Sequence, residues 1–296
     1  MISVVIPSYN SENTIHRCLD SLKRQSFRGD YEIVLVDSSE DQTPVIVRSK
    51  YPEIKFIHFS QKTDPGTARN KGVTEAKGNI IAFIDSDCIA DPEWLIKISA
   101  AHERDEVSVI GGAVRNGNAE GDLVGLAGYI AEFREFTPGQ PRRAVLHAPT
   151  CNISYKKRIF EKYGGFQKEY YPQEDLIFNY RLNSEGEKII FDPAIQVYHH
   201  HRTKLGDFLT HQQRIGKITS KVLKEIPLEG SLIVKNPILA FFCVPFLPFV
   251  KFARTVHTFL KNDPEVISKR PHVLGFFALG LVYWVIGFSR GIFDKE

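Results

Sequence analysis

The hydrophobic pattern of the first hundred residues switches repeatedly between two periods. Ile2–Ile6 is a short unbroken apolar run that ends in Pro7-Ser8-Tyr9-Asn10, which reads as a buried strand followed by a loop. From Asn13 to Gln25, Ile15, Cys18, Leu19 and Leu22 recur at helical spacing. The same logic predicts strands at Glu32–Val36, Ile54–Phe59 and Ile80–Ile84. Helices are predicted at Thr43–Tyr51, Thr67–Ala76 and Pro92–His102, the last starting from a cap at Asp91. Buried strands alternating with helices imply an α/β fold, a Rossmann-like and mostly parallel sheet between helical layers. Ligands of such sheets bind beyond the carboxyl ends of the strands. Ser8, Tyr9, Asn10, Asp37, Ser38, Asp85, Ser86 and Asp87 all fall there.

From Val107 the pattern loosens. A strand is expected at Val107–Val114 and a helix at Asp122–Phe136, with Gly121, Gly125 and Gly128 spaced for close packing. Residues 137–147 read as a functional or mobile loop. Thr150–Tyr155 is a strand, Lys156–Tyr163 and Glu174–Ser184 are helices, and Lys188–Phe191 and Ile195–Tyr198 are two further strands. Leu205–Ile226 is a long amphipathic helix whose apolar face suits a core or a membrane surface equally. Two apolar segments follow, Pro237–Val250 with three prolines and Val273–Ser289 without a charge. A spanning helix needs about 20 apolar residues, so the first is too short and too broken and the second is borderline. The stretch between them is basic, and two spans would put it outside, against the positive-inside tendency. A re-entrant or in-plane first segment is therefore expected, with two short spans as one alternative and burial in a homo-oligomer interface as the soluble one. The domains divide as 1–204, falling into halves 1–105 and 106–204, and a membrane-associated helical region 205–296.

Charge sharpens this division. The chain of 296 residues carries a net charge of +3, but residues 1–201 hold 24 Lys and Arg against 28 Asp and Glu, and residues 202–296 hold 14 against 7. The basic excess adjoins the apolar segments, which favours an anionic membrane over nucleic acid. At 43% apolar and 25% charged the sequence is that of a folded protein. The four scattered cysteines form no zinc or disulfide pattern. Met1-Ile2-Ser3 opens no signal peptide, so the N-terminal part is expected in the cytoplasm.

The sharpest local signal is Asp85-Ser86-Asp87 after the run Ile80–Ile84. Two carboxylates at i and i+2 beyond a strand end can hold a hard divalent cation, which would neutralise a departing diphosphate. Asp37, at another strand end, suits a base N–H or ribose hydroxyl, or a helix cap. Arg69 and Asn70 lie in the first turns of a helix. No P-loop and no G-x-G-x-x-G follow the first strand.

In this order the segments resemble family-2 glycosyltransferases, which are inverting enzymes of GT-A-type fold. Val4-Val5-Ile6-Pro7-Ser8-Tyr9-Asn10 is similar to the opening strand and nucleotide loop. Val36-Asp37-Ser38-Ser39-Glu40-Asp41 stands for V-D-D/N-G-S-x-D, with serine in place of the usual glycine. Gly66 to Gly72 resembles G-x-x-x-A-R-N-x-G, Asp85-Ser86-Asp87 the metal-binding D-x-D, and Gly164-Gly165-Phe166 with Glu174-Asp175 the G-G-F…E-D element. The resemblance covers roughly 200 residues, and not the C-terminal third in any detail.

The resemblance implies Asp175 as catalytic base, Asp85 and Asp87 as ligands of Mn²⁺ or Mg²⁺, and Pro7, Tyr9, Asn10, Asp37, Arg69 and Asp85 around the nucleotide. One histidine of His199-His200-His201 would join the metal shell or touch diphosphate, and His199 is the first candidate. Processive members carry Q-x-x-R-W, whereas this chain has His211-Gln212-Gln213-Arg214-Ile215, with Arg214 a diphosphate contact. The departure implies transfer of a single sugar. A nucleotide-sugar donor, most simply a UDP-sugar, and a saccharide or polyprenyl-linked acceptor are implied, at the cytoplasmic face of the cell membrane. The competing functions are a nucleotidyltransferase and a non-catalytic sugar-nucleotide-binding assembly protein.

Overall fold

A computed structural model describes residues 1–104 and 107–294. In chain order its main elements are β1 (Ile2–Ser8), α1 (Ile15–Lys23), β2 (Tyr31–Asp37), α2 (Thr43–Lys50), β3 (Lys55–His58), α3 (Pro65–Glu75), β4 (Ile80–Ile84), β5 (Cys88–Ala90) and α4 (Trp94–Arg104). They continue as β6 (Val109–Asn116), α5 (Leu123–Phe133), β7 (Arg143–Val145), β8 (Asn152–Lys156), α6 (Arg158–Tyr163), α7 (Glu174–Ser184) and β9 (Ile189–His199). The C-terminal helices are α8 (Leu205–Glu225), α9 (Ser231–Lys235), α10 (Pro237–Cys243), α11 (Leu247–Asn262), α12 (Glu265–Ser268) and α13 (Val273–Phe293). The chain forms two compact units, Met1–Gly117 with Gln140–His199, and Asn118–Gly139 with the chain from His200 onward. Residues 118–139, expected within the catalytic region, thus pack with the C-terminal helices. The expected boundary between residues 105 and 106 lies outside the described residues.

The first unit is built on one sheet of order β3-β2-β1-β4-β8-β6-β9-β5, with β7 also on β9. Strands β3, β2, β1 and β4 are parallel, and β8 joins β4 antiparallel. All seven residues of β1 are buried, which is why it reads as an unbroken apolar run rather than an alternating one. Helix α3 packs directly on this strand, and a Cβ at Gly72 would collide with the Val5 side chain.

The two strands expected at 188–191 and 195–198 are one, β9, which passes Pro193 through a register shift opposite Gly112 and Ala113 of β6. Asn152 fills that irregularity, its Nδ2 donating to the carbonyls of Ala113 (2.8 Å) and Ile195 (3.0 Å) while its Oδ1 accepts from Trp94 Nε1 (2.8 Å). The loop expected at 137–147 contains the short strand β7.

In the second unit, the amphipathic α8 faces a helix rather than open surface. Gly216 lies against the Trp284 carbonyl and Gly287 against the Gln213 carbonyl, approaches that any Cβ would block. The prolines do not break the first apolar segment. Pro237 begins α10 after Asn236, whose side chain accepts from the N–H groups of Ile238 (3.0 Å) and Leu239 (3.2 Å). Pro245 and Pro248 occupy the first positions of the next two turns, where no intrahelical donor is needed. The helix therefore runs 26 residues from Pro237 to Asn262, long and apolar enough to cross a membrane by length and composition, as is Val273–Phe293. The expectation that the prolines break the first segment is thus corrected: it is the apolar first half of a longer helix.

Candidate active site

The first candidate residues gather at the carboxyl ends of β1, β2 and β4. Pro7 is the buried penultimate residue of β1, paired with Val36. Asn10, just beyond, takes the left-handed backbone conformation (φ 50°). Asparagine tolerates that conformation better than most residues. There its N–H donates to Ser39 Oγ (2.7 Å) and its Oδ1 accepts from the Glu40 N–H (3.0 Å). Tyr9 is exposed at 37%, with the Lys62 ammonium 4.2 Å from its ring centroid.

Asp37 is fully buried at the end of β2. Its carboxylate accepts from Ser39 Oγ (2.5 Å) and the Ser39 N–H (3.1 Å) and lies 2.8 Å from His58 Nδ1. Ser39, one of the two serines in the segment where the resemblance has glycine, therefore holds Asp37 in place. His58 escaped the sequence analysis: it is opposite Asp37 in the β2–β3 register, and register is set by pairing rather than by local pattern.

Arg69 joins two motifs that are far apart in sequence. It is 3% exposed, and it donates to Asp85 Oδ1 through Nη2 (2.7 Å) and to Glu174 Oε1 through Nη1 (2.8 Å). Burial works against its charge, but Asp85 and Glu174 outweigh burial and hold the guanidinium above its ordinary range. Burial also pushes the Glu174 carboxyl up to about 7, against the attraction of Arg69 and with repulsion from Asp175. The adjacent Asn70 clamps the G-G-F segment, donating from Nδ2 to the Phe166 carbonyl (2.8 Å) and accepting from the Phe166 N–H (2.9 Å). A Cβ at Gly165 would collide with Asn70 Oδ1, so that glycine is required for the contact.

Asp175 follows Glu174 in the first turn of α7. The Thr150 N–H (3.2 Å) and the Leu176 N–H (2.8 Å) donate to its two oxygens and orient the carboxylate. Thr150 was not singled out from sequence, since a lone threonine before a strand carries no pattern.

The turn Asp85–Cys88 is closed by the Cys88 N–H on the Asp85 carbonyl (3.0 Å). Ser86 Oγ lies 2.7 Å from Ser11 Oγ, joining this turn to the nucleotide loop. Strand β5, absent from the sequence-based elements because it is three residues long, pairs with β9 and sets Cys88 beside His199. His199 Nε2 is 3.5 Å from Asp87 Oδ1, and Asp87, Cys88 and His199 bring their ligand atoms within 4.8 Å of one another. Burial raises the Cys88 thiol well above its usual range, and the carboxylate oxygen and imidazole nitrogen beside it are donors that suit Mn²⁺. Asp85 is not in this cluster; its Oδ1 is bonded to Arg69. His201 lies in the second unit, between the rings of Tyr129 and Phe133, and Arg214 lies exposed on α8 of that unit.

Residues 3–164 match the pattern of Glycosyl transferase family 2. Glycosyltransferase AglE of Haloferax volcanii is 28% identical over 225 residues, which cover 73% of this chain and 72% of that protein. Of several other curated relatives the chain spans about half the length. Among solved structures, the mannosyltransferase PcManGT of Pyrobaculum calidifontis in complex with GDP-Man and Mn²⁺ has a TM-score of 0.66 at 17% identity, covering 100% of this chain and 88% of that one. S. aureus TarS 1–349 in complex with UDP has a TM-score of 0.55 at 18% identity, covering 98% and 90%. These likenesses agree with the expected GT-A-type fold, and the sequence match extends over more than half of the chain. The protein belongs to glycosyl transferase family 2 and is a glycosyltransferase.

Proposed function

We propose that the protein is an inverting, metal-dependent transferase that moves one sugar from a nucleotide diphosphate donor, a UDP-sugar in the simplest case, to a hydroxyl of a lipid-linked or cell-envelope saccharide. The observation that carries this reading is the buried Arg69 bridge, which unites Asp85 of the D-S-D turn with Glu174, the neighbour of Asp175. A single in-line displacement at an anomeric carbon needs a base on the acceptor side and neutralisation on the leaving diphosphate. Asp175, held by two backbone donors, takes the acceptor proton. Pro7, Tyr9, Asn10 and Asp37 receive the nucleoside, with Tyr9 offering an exposed ring to the base.

Asp87 and His199 would hold the divalent ion, with Asp85 supporting the turn from its pairing with Arg69. Bound there, the ion supplies charge neutralisation at the diphosphate. A location at the cytoplasmic membrane face completes the reading, supported by the basic C-terminal third and its two long apolar helices. A panel of UDP- and GDP-sugars with purified protein, recording nucleoside diphosphate release with and without Mn²⁺, tests it. Release from one donor, stimulated by Mn²⁺ and by a polyprenyl-linked saccharide, is expected. Turnover unchanged by chelation would overturn the metal assignment.

A further inference from the structure

The continuous helix Pro237–Asn262 presents an unusual surface. Among residues 237–250 every exposed position is apolar, including Ile238, Phe241, Phe242, Phe246, Phe249 and Val250. With Pro245 these positions recur at i, i+3, i+4, i+7, i+8, i+11 and i+12, one face of a helix. The opposite face is spoken for, since Ala240 and Val244 are buried in a core with Val234, Trp284 and Phe288. An apolar stripe of this extent marks an interaction surface.

Charge identifies what covers it. Residues 202–296 carry 14 Lys and Arg against 7 Asp and Glu. Lys235 and Lys261 are exposed at the two ends of the helix, with Arg254 exposed between them in a pair with Glu229 (2.6 Å). A second copy of the chain would bring the same basic surface against itself. An anionic lipid surface meets it with opposite charge, and phenylalanines backed by basic residues are the composition of interfacial helices.

The packing also sets the depth. Helix α13 has the length of a span, but α8 lies along it in close backbone contact. A Cβ at Gly216 would collide with the Trp284 carbonyl, one at Gly287 with the Gln213 carbonyl, and one at Gly291 with Ser220 and the Lys217 carbonyl. Lys224 Nζ donates to the Gly291 carbonyl at 3.1 Å. Arg214 is exposed on α8, so an α13 that crossed a bilayer would draw this charge into hydrocarbon. The apolar stripe from Pro237 to Val250 rises about 21 Å, less than the hydrocarbon thickness of about 30 Å.

We propose that the C-terminal unit is monotopic: its phenylalanine stripe enters one leaflet of an anionic bilayer, and neither long helix crosses. The inference rests on the membrane location proposed above and specifies how the protein holds to it. Two measurements on the full chain separate the two ideas. The first is flotation with vesicles of phosphatidylcholine alone or mixed equally with phosphatidylglycerol. Binding to the mixed vesicles is expected, reduced at least about tenfold by Phe242→Asp with Phe249→Asp. Val45→Asp, at an exposed apolar position of the first unit, should leave binding unchanged.

The second measurement places cysteines at Lys50, Lys269 and Asp294, one at a time in a Cys243→Ser background, in inverted membrane vesicles from producing cells. A membrane-impermeant maleimide should label all three from the same side. Labelling of Lys269→Cys only from the opposite side would overturn the monotopic arrangement while leaving the membrane location intact. Failure to float with either vesicle would overturn both. So would a concentration-dependent dimer that Phe242→Asp dissolves in the absence of vesicle binding.

Discussion

The first unit buries charge, whereas the second exposes hydrocarbon. In the catalytic unit Arg69, Glu174 and Asp37 are withdrawn from water and paired with one another or with polar neighbours. A buried ion pair contributes little net stability, yet breaking one leaves an uncompensated charge. Such a network holds its members in one geometry. In the second unit the tight contacts are between glycines and backbone, and large side chains such as Phe241 and Phe249 lie outside, more than 70% exposed. The lesson is one of partners: a buried charge keeps a polar neighbour, whereas the exposed phenylalanines are left uncovered within the unit.

Asp175→Asn bears most strongly on the first half of that contrast. Transfer should fall by roughly 10²–10⁴-fold, the span of general-base contributions, with donor binding by calorimetry changed less than about twofold. Near-normal transfer would remove Asp175 from its role. Arg69→Met should destabilise the protein by about 3–5 kcal/mol in urea unfolding, because Asp85 and the buried Glu174 both lose their cation. A loss below about 1 kcal/mol would mean that the network is dispensable.

For the second unit, Gly287→Val should cost about 1–3 kcal/mol through collision with the Gln213 backbone, read as a fall in unfolding midpoint. The smallest effect concerns Glu132, a partly exposed charge of the second unit. Burial opposes its ionisation, but His211, His201 and Arg202 outweigh burial and hold its carboxyl down to about 2. A folded value below the ordinary 4.5 means stability that is present above about pH 4.5 and lost as pH falls toward 2. Glu132→Gln should therefore be less stable at neutral pH by about 1–2 kcal/mol, and that gap should close as the pH is lowered through this window. A gap constant with pH would show that the charge contributes nothing.

How much was legible in the sequence differs between these regions for the same reason. Strands β1, β2 and β4 announce themselves because a strand buried on both faces must be apolar throughout, and the D-S-D and E-D carboxylates follow as polar residues just past strand or loop ends. Arg69 was visible as a helix residue, but its bridge to Glu174 was not, since the two are separated by 105 positions. In the helical region, composition announced an affinity for an apolar phase but misjudged the first segment, because prolines at the starts of turns look the same in sequence as prolines that break helices.

The sequence by itself determined the period of each element, the order of the motifs and the charge division near residue 201, all of which are local properties of the chain. Only the tertiary structure decided that His58 serves Asp37, that β5 sets Cys88 and Asp87 beside His199, and that residues 118–139 join the C-terminal helices. It alone decided that α8 buries its apolar face against α13. Those outcomes depend on strand register and on which surface meets which. Such contacts join residues remote along the chain, and no local pattern encodes them.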